Sequence, residues 1–172
     1  MLLKREYDLS QHSLVIKTLL ECPYLPSPLA VIDAALDIAD FHKGEVFADL
    51  GCGDGTVLIR AAQKFEVLSV GFEIDRNLIE IAKRNVKAAG FANLIDVVHA
   101  DLFTVDFSRL NVIYIYLSPL IRERLSEKIM SECSNGARIL VHDYPLPPLH
   151  LDKIAHVPCG EFHTHTIYLY KL

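Results

Sequence analysis

The sequence predicts an α/β domain with a doubly wound, mostly parallel sheet. Short apolar runs suited to buried strands alternate along the chain with amphipathic helical patterns, as expected of that fold. The first apolar run, Val46–Leu50, breaks abruptly into glycines at alternate positions, and a helical pattern follows at once. Two later runs end beside acidic residues, Glu73 and Asp101. Because such strand ends meet in one crevice of an open α/β sheet, the sequence predicts a ligand site there.

The predicted elements alternate regularly along the chain. Apolar residues at helical spacing predict the helices, and apolar or alternating runs bounded by turn residues predict the strands. Ser27, Asp75 and Ser118 are expected to be N-caps. The predicted helices span about 8–21, 28–44, 56–65, 76–90 and 119–136, and the predicted strands span about 46–50, 67–72, 97–98, 112–117, 137–141, 153–157 and 163–171. Prolines at 145, 147 and 148 leave no room for a normal helix before the sixth strand.

The glycine-rich turn indicates which kind of ligand binds. A dinucleotide-binding fingerprint requires a third glycine at the position that Thr56 occupies, and a phosphate-binding P-loop requires a lysine that the turn lacks. What remains is the pattern D-x-G-x-G-x-G, which begins at Asp49. One strand later, Glu73 is placed to accept hydrogen bonds from both hydroxyls of a ribose. The turn therefore predicts a nucleotide-like ligand other than a dinucleotide.

With these motifs the chain resembles the class I (seven-β-strand) S-adenosylmethionine-dependent methyltransferases, over nearly its whole length. The resemblance implies a Rossmann-like sheet of order 3-2-1-4-5-7-6 with strand seven antiparallel, an N-terminal helical extension and S-adenosylmethionine as cofactor. It places Glu73 at the ribose, Asp101 or Leu102 at the adenine, and the glycine turn with Asp49 at the methionine part. The residues expected to bind the cofactor are Tyr24, Ser27, Asp49, Gly51, Cys52, Gly53, Gly55, Glu73, Ile74, Asp101, Leu102 and Tyr116.

The segment before the second predicted helix narrows the resemblance. Tyr24-Leu25-Pro26-Ser27-Pro28 has the pattern Tyr-x-Pro-Ser/Thr-Pro. It is similar to the broad-specificity archaeal protein lysine methyltransferases and to the mitochondrial enzymes that methylate the ATP synthase c-subunit and the adenine nucleotide translocase. In that family the segment lies over the cofactor and helps to shape the lysine entrance. Taken alone, so many prolines indicate only a rigid connector.

The acceptor is predicted mainly from the ends of strands four and five. Methyltransferases for nucleobase amino groups or glutamine usually carry Asn/Asp-Pro-Pro-Tyr/Phe after strand four, where this chain has Tyr116-Leu117-Ser118-Pro119. The stretches 141–145 and 165–170 resemble the archaeal lysine enzymes, although the prolines at 145–148 depart from them. Protein lysine is the expected acceptor, with Tyr24, Tyr116, Asp143 and Tyr144 as candidate catalytic residues. A small-molecule or RNA methyltransferase and an inactive cofactor-binding regulatory module remain alternatives.

Composition limits the domain organisation and the partners. At 172 residues and 51% hydrophobic content, the chain suits a single domain over 1–172, in which residues 1–44 form a helical and proline-rich lid segment. The formal charge of −5 and the absence of a lysine or arginine run favour basic protein partners over nucleic acid. Four cysteines without C-x-x-C spacing, and the absence of a signal peptide or a bilayer-spanning apolar run, predict a cytoplasmic protein.

The histidines offer one further possibility. His163 and His165 are predicted to share a face of the last strand, a spacing with which a metal site can begin. The sequence identifies no third ligand, so we expect no metal. His99 and His142 are expected to be hydrogen-bonded residues of the sheet rather than general bases.

Overall fold

The computed structural model describes residues 24–146 and 149–172. The helix predicted over 8–21 and the prolines at 147 and 148 lie outside these ranges. Most of the segment assigned to a lid, residues 1–23, also lies outside them, so the predicted domain organisation stays a prediction.

Within these described ranges, seven strands form one sheet. They are β1 (Val46–Leu50), β2 (Leu68–Glu73), β3 (Ile95–His99), β4 (Val112–Ile115), β5 (Arg138–His142), β6 (Leu151–Pro158) and β7 (Thr164–Lys171). Their order is β3-β2-β1-β4-β5-β7-β6; the first five run parallel, and β7 is antiparallel to both of its neighbours. The predicted fold class and strand order are confirmed. In this order the chain reverses direction across the sheet between β1 and β4, where their carboxyl ends leave a crevice.

Helices cover both faces of the sheet. They are α1 (Leu29–Ile38), α2 (Thr56–Phe65), α3 (Arg76–Ala88), a 3₁₀ turn (Pro119–Ile121) and α4 (Arg122–Glu132). Successive residues of a strand point to opposite faces, so Phe47 packs with α1 and α2, whereas Ala48 packs in the core beneath α4. Neither face is exposed enough for the sheet to show an alternating polar pattern, which explains why the parallel strands appear in the sequence as continuous apolar runs. Among the described residues, no helix combines the length and apolar character required to cross a bilayer.

The start of α1 differs from the prediction. Pro28, rather than Ser27, is the N-cap residue, and its carbonyl accepts the first bonds of the helix, from the amides of Val31 at 2.9 Å and Ile32 at 3.1 Å. The Ser27 hydroxyl contacts side chains of β4 and β5 instead of capping the helix. The helix begins one residue later than predicted, with Pro28 in extended conformation as its N-cap. Ser27 therefore lies outside the helix, and its hydroxyl is available for tertiary contacts.

Other predicted boundaries also move. Helix α1 ends at Ile38 instead of near Gly44 because Asp40 adopts φ +55°, and its carbonyl accepts a hydrogen bond from the buried Arg138 guanidinium. Strand β4 ends at Ile115, two residues before its predicted end. After Ser118 the chain forms a 3₁₀ turn before α4 begins. The predicted N-cap at Asp75 is confirmed, since its carboxylate accepts from the amides at 77 and 78.

A close contact between α2 and β2 sets how near this helix lies to the sheet. A Cβ at Gly71 would approach Leu58 Cδ1 to 2.5 Å and Cys52 Sγ to 2.6 Å. Since buried atoms cannot overlap in this way, the sheet needs a residue without a side chain at this point.

We therefore expect Gly71→Ala to reduce the free energy of unfolding by about 1–3 kcal/mol, the usual cost of overpacking a core. Urea unfolding followed by circular dichroism measures this. Leu58→Ala supplies the matched background because it removes the nearest atom, so the added methyl should cost less there. An equal cost in both backgrounds would contradict the contact with Leu58, because the overlap with Cys52 is the same in both.

Candidate active site

A cavity of about 400 Å³ opens where β1, β2 and β4 end. It lies at the switch point of the sheet, where the fold predicts a ligand site, and its size is within the range of small-molecule sites. Its lining combines acidic residues, tyrosines and the glycine-rich turn. The lining residues are Tyr24, Leu25, Pro26, Ser27, Ile32, Asp49, Gly51, Cys52, Asp54, Thr56, Val57, Phe72, Glu73, Ile74, Asp75, Leu78, Ala100, Leu102, Tyr114, Tyr116, Leu117, Ser118, Pro119 and Tyr144.

The glycine turn has a backbone that other residues rarely adopt. Gly51 and Gly53 have φ of +82° and +52°. A Cβ at Gly51 would lie 2.6 Å from Leu117 Cδ2, and one at Gly53 would overlap the Tyr24 ring. The glycines therefore allow the segment after β4 and the segment before α1 to close over the turn.

The Glu73 carboxylate joins the glycine turn to the end of β2. Its Oε2 accepts from the Gly53 amide at 3.0 Å, and its Oε1 accepts from the amides of Ile74 at 2.7 Å and Asp75 at 3.0 Å. A carboxylate offers about four lone-pair positions, so it can accept these three bonds and still reach a ligand. The side chain is 9% exposed and faces the cavity.

Asp49 lies in the lining together with two further carboxylates, those of Asp54 and Glu73. Burial raises the pKa of Asp49 well above its ordinary value, and the charges of Glu73 and Asp54 raise it further. The pKa of Tyr24 is likewise raised, first by partial burial and then by the charge of Asp54 and a hydrogen bond to it. This acidic cluster of Asp49, Asp54 and Glu73 favours a positively charged ligand.

Hydroxyl groups from distant parts of the chain meet at another part of the lining. Ser27 Oγ lies 3.0 Å from Tyr114 Oη and 3.2 Å from His142 Nδ1, and Tyr114 Oη lies 3.1 Å from the same nitrogen. The Tyr116 ring stacks on the His142 ring with centroids 3.8 Å apart. Burial lowers the pKa of His142 to about 4, against the opposing effect of Asp143, so the ring is neutral at pH 7. The predicted sheet role of His142 agrees with these contacts.

Most predicted cofactor residues lie on this cavity, but three do not. Gly53 is covered by Tyr24, and Gly55 packs toward Ala82 of α3. Asp101 is fully buried and accepts from the Phe103 amide at 2.9 Å, while its neighbour Leu102 lines the cavity.

Among the predicted catalytic residues, Tyr24, Tyr116 and Tyr144 line the cavity and Asp143 does not. Asp143 Oδ2 lies 2.8 Å from His165 Nδ1, and its Oδ1 accepts from the Thr166 amide at 2.9 Å. These two bonds turn the carboxylate toward the start of β7 and away from the cavity. The position of Asp143 therefore does not support a direct contact with the acceptor.

Among the lining residues that the sequence interpretation did not name as site residues, Asp54 and Tyr114 matter most for the chemistry. Asp54 lies inside the glycine turn, between Gly53 and Gly55. Because the turn was predicted to border the ligand, this position already indicated that Asp54 lines the site. Tyr114 precedes Tyr116 by two residues, and residues two apart share a face of a strand. This pairing also predicts that both tyrosines reach the cavity if one does.

The fold and the lining together define a nucleotide-binding protein of the doubly wound class, because the glycine turn after β1 and the acidic residue at the end of β2 lie where that class binds its ligand. The family profile described as the ANTKMT methyltransferase domain matches residues 49–153, and the chain belongs to this family. It is an S-adenosylmethionine-dependent methyltransferase, as the sequence predicted.

Individual relatives agree with this assignment. A protein-lysine N-methyltransferase of Saccharolobus islandicus (strain REY15A) is 33% identical over 151 residues, which cover 87% of this chain and 93% of that protein. The mouse adenine nucleotide translocase lysine N-methyltransferase is 26% identical over 128 residues, 74% of this chain and 56% of that protein. The human lysine N-methyltransferase for the ATP synthase c-subunit is 26% identical over 125 residues, 73% of this chain and 53% of that protein. The chain thus spans about half the length of these animal relatives.

A solved structure is similar over the same extent. The RNA methyltransferase from Salinibacter ruber, in complex with S-adenosyl-L-homocysteine, superposes with a TM-score of 0.78 and 33% sequence identity. The superposition covers 86% of this chain and 93% of that one.

The raised pKa of Asp49 predicts how its removal changes stability. A carboxyl whose pKa is higher in the folded protein stabilises the fold below its unfolded pKa of about 3.9, and this contribution is lost as the pH rises toward the folded pKa. We therefore expect Asp49→Asn to be more stable than the wild type at pH 8, by a margin that shrinks as the pH falls toward 4.

Urea unfolding of the ligand-free protein at several pH values measures this effect. Asp96→Asn is the matched control, because Asp96 is exposed on β3 and its change should leave stability almost unaltered at every pH. The prediction would be wrong if the wild type were more stable than Asp49→Asn at pH 8. That result would mean that other groups of the ligand-free protein stabilise the buried, charged carboxylate.

Proposed function

We propose that this protein transfers the methyl group of S-adenosylmethionine to the ε-amine of lysine side chains in proteins. The observation that carries the proposal is that four tyrosines, Tyr24, Tyr114, Tyr116 and Tyr144, line the same cavity as the acidic cluster. Aromatic faces attract an alkylammonium group, and their hydroxyls can accept its N–H bonds. The archaeal and animal relatives are lysine N-methyltransferases, which supports the same acceptor.

The cofactor is proposed to bind with its positive groups near the acidic cluster. S-adenosylmethionine carries a sulfonium and an ammonium, and the carboxylates of Asp49 and Asp54 offset both charges in a partly buried site. Glu73 accepts hydrogen bonds from the ribose hydroxyls in addition to the three that it accepts from backbone amides. Ile74 and Leu102 border the adenine, and the turn at Gly51 and Cys52 follows the methionine part.

Methyl transfer requires a neutral amine. With an ordinary pKa near 10.4, deprotonating lysine at pH 7 costs roughly 4–5 kcal/mol. The adjacent sulfonium and partial desolvation both disfavour a second cation in the cavity, so they lower that cost. The nitrogen lone pair then forms the N–CH₃ bond while the S–CH₃ electrons pass to sulfur, which becomes a neutral thioether. Positioning of the two reactants supplies most of the acceleration in such a displacement.

The tyrosines and Ser27 hold the amine in line with the methyl group. The Ser27 and Tyr114 hydroxyls are fixed by their bonds to each other and to His142. Tyr24 is half exposed over Gly53 and Tyr144 is half exposed at the rim, so both can border an entering lysine. Asp143, behind this wall, contributes through its neighbours and not by touching the substrate.

RNA is the second candidate acceptor, because the similar Salinibacter ruber protein is described as an RNA methyltransferase. The formal charge of −5 opposes it, since RNA-binding surfaces are usually basic. The same charge supports basic protein partners. A cytoplasmic location is part of the proposal, and the free thiols of Cys52, Cys133 and Cys159 suit a reducing compartment.

The role of Glu73 gives the first test. We expect Glu73→Ala to bind S-adenosylmethionine about 30- to 1000-fold more weakly, which corresponds to roughly 2–4 kcal/mol for the lost charge-assisted hydrogen bonds. Isothermal titration calorimetry measures the affinity, and circular dichroism checks that the fold survives. Glu80→Gln on the exposed side of α3 is the control and should bind normally. Unchanged affinity of Glu73→Ala would remove Glu73 from the cofactor site.

The acceptor gives the second test. The purified enzyme is incubated with a lysate and isotopically labelled S-adenosylmethionine. Mass spectrometry should then find the label on lysine, mostly in basic proteins. On a lysine peptide, kcat/KM should rise by up to about tenfold per pH unit below the pKa of the amine, because only the neutral amine reacts. Glu73→Ala, which is expected to bind the cofactor weakly, is the control for labelling by other enzymes of the lysate. Label confined to RNA, or on arginine, glutamine or carboxylates, would refute the lysine acceptor.

A further inference from the structure

Two histidines and an aspartate converge behind the cavity wall. His142 ends β5, Asp143 follows it, and His165 lies near the start of β7, which pairs with β5. His165 Nδ1 lies 2.9 Å from His142 Nε2 and 2.8 Å from Asp143 Oδ2, and the latter two atoms are 3.5 Å apart. The sequence paired His165 with His163, and these two rings do lie edge to face with centroids 4.3 Å apart. The ligand atoms that approach His165 Nδ1 belong to His142 and Asp143, which the sequence did not indicate. We call these three residues the histidine–aspartate cluster.

Protons alone cannot give each of these three atoms, His142 Nε2, His165 Nδ1 and Asp143 Oδ2, a good hydrogen bond. A proton on His165 Nδ1 can bond the Asp143 carboxylate, but His142 Nε2, at a similar distance, then receives only a share of the same proton. If His142 carried its own proton on Nε2, that proton would face the N–H of His165. A cation accepts a lone pair from all three atoms at once.

The distances suit a metal ion of the first transition series. Bonds of about 2.1 Å keep neighbouring ligand atoms about 3.0 Å apart in an octahedral site and about 3.4 Å apart in a tetrahedral one. The observed separations of 2.8, 2.9 and 3.5 Å are within a few tenths of an ångström of these values. Imidazole nitrogens with one carboxylate oxygen are ligands that Zn²⁺ and its neighbours accept.

The surroundings hold the three ligands in place. His142 Nδ1, the nitrogen that faces away from the cluster, bonds the Tyr114 and Ser27 hydroxyls, and Asp143 Oδ1 accepts from the Thr166 amide. Ligands of bound metals are usually oriented by such outer hydrogen bonds. Asp143 also adopts φ +60°, a left-handed conformation that few residues other than glycine, asparagine and aspartate adopt and that recurs at functional sites.

We propose that the histidine–aspartate cluster binds one divalent first-row transition-metal ion, such as Zn²⁺, through His142 Nε2, His165 Nδ1 and Asp143 Oδ2. Three protein ligands leave at least one position for water or another small ligand. Because His142 stacks on Tyr116 and bonds Tyr114, the ion stabilises the cavity wall by linking the end of β5 to the start of β7. This site is independent of the acceptor proposed above.

The test uses full-length protein without a histidine tag, stripped of metal with a chelator. Competition with a chromophoric zinc chelator should show one Zn²⁺ bound per chain. Asp143→Asn and His165→Ala should weaken binding at least tenfold, whereas His156→Ala, on exposed β6, should bind like the wild type. At one Zn²⁺ concentration, the melting temperature should rise less for Asp143→Asn, which keeps the shape of the aspartate, than for the wild type and His156→Ala.

Cobalt substitution separates this cluster from the cysteines. The wild type with Co²⁺ should show d–d absorption without a thiolate-to-cobalt charge-transfer band, and Cys159→Ser should leave the spectrum unchanged. Absence of Zn²⁺ binding by the wild type would overturn the proposal. Binding that survives His165→Ala, or a thiolate band lost on Cys159→Ser, would overturn it as well.

Discussion

The structure depends on the attachment of the glycine turn to the end of β2. The Phe72 carbonyl accepts from the amides of Gly51 and Cys52 at 2.8 and 3.0 Å, and the Glu73 carboxylate accepts from Gly53. These bonds fix where the turn after β1 lies relative to the next strand. The cavity is the space that this turn, the β2 end and the segment after β4 enclose. Without the attachment, the acidic cluster and the tyrosines would have no common position.

The sheet was predictable from the sequence because its signals are local. Buried parallel strands appear as short apolar runs, amphipathic helices follow them, and a glycine turn after β1 marks the carboxyl edge. The same reasoning located Glu73 and Tyr116 on the cavity, since they lie at or directly after the carboxyl end of a strand. Leu102 was placed there by family resemblance. The exact strand order came from family resemblance, because local patterns do not determine which strands become neighbours.

The remaining features were not predictable because they join residues far apart in the chain. Ser27 was interpreted as a helix cap, yet its partners Tyr114 and His142 lie 87 and 115 residues away. His165 contacts its predicted neighbour His163, but the antiparallel pairing of β5 and β7 also brings it to Asp143, which no local pattern indicated. Serine, histidine and aspartate each form good local bonds, so the sequence pattern favours the local partner wherever the register of distant strands is unknown.

The charge arrangement of the cavity suits the proposed reaction. When a neutral amine attacks the sulfonium methyl group, the positive charge leaves sulfur and appears on nitrogen, so the net charge in the cavity does not change. Carboxylates and tyrosine faces that line one space can stabilise the charge at both positions without rearranging, which is the advantage of a preorganised site. After transfer the thioether has lost the charge that attracted it to Asp49 and Asp54, and the methylated ammonium prefers water. Both changes favour release of products over the reverse reaction.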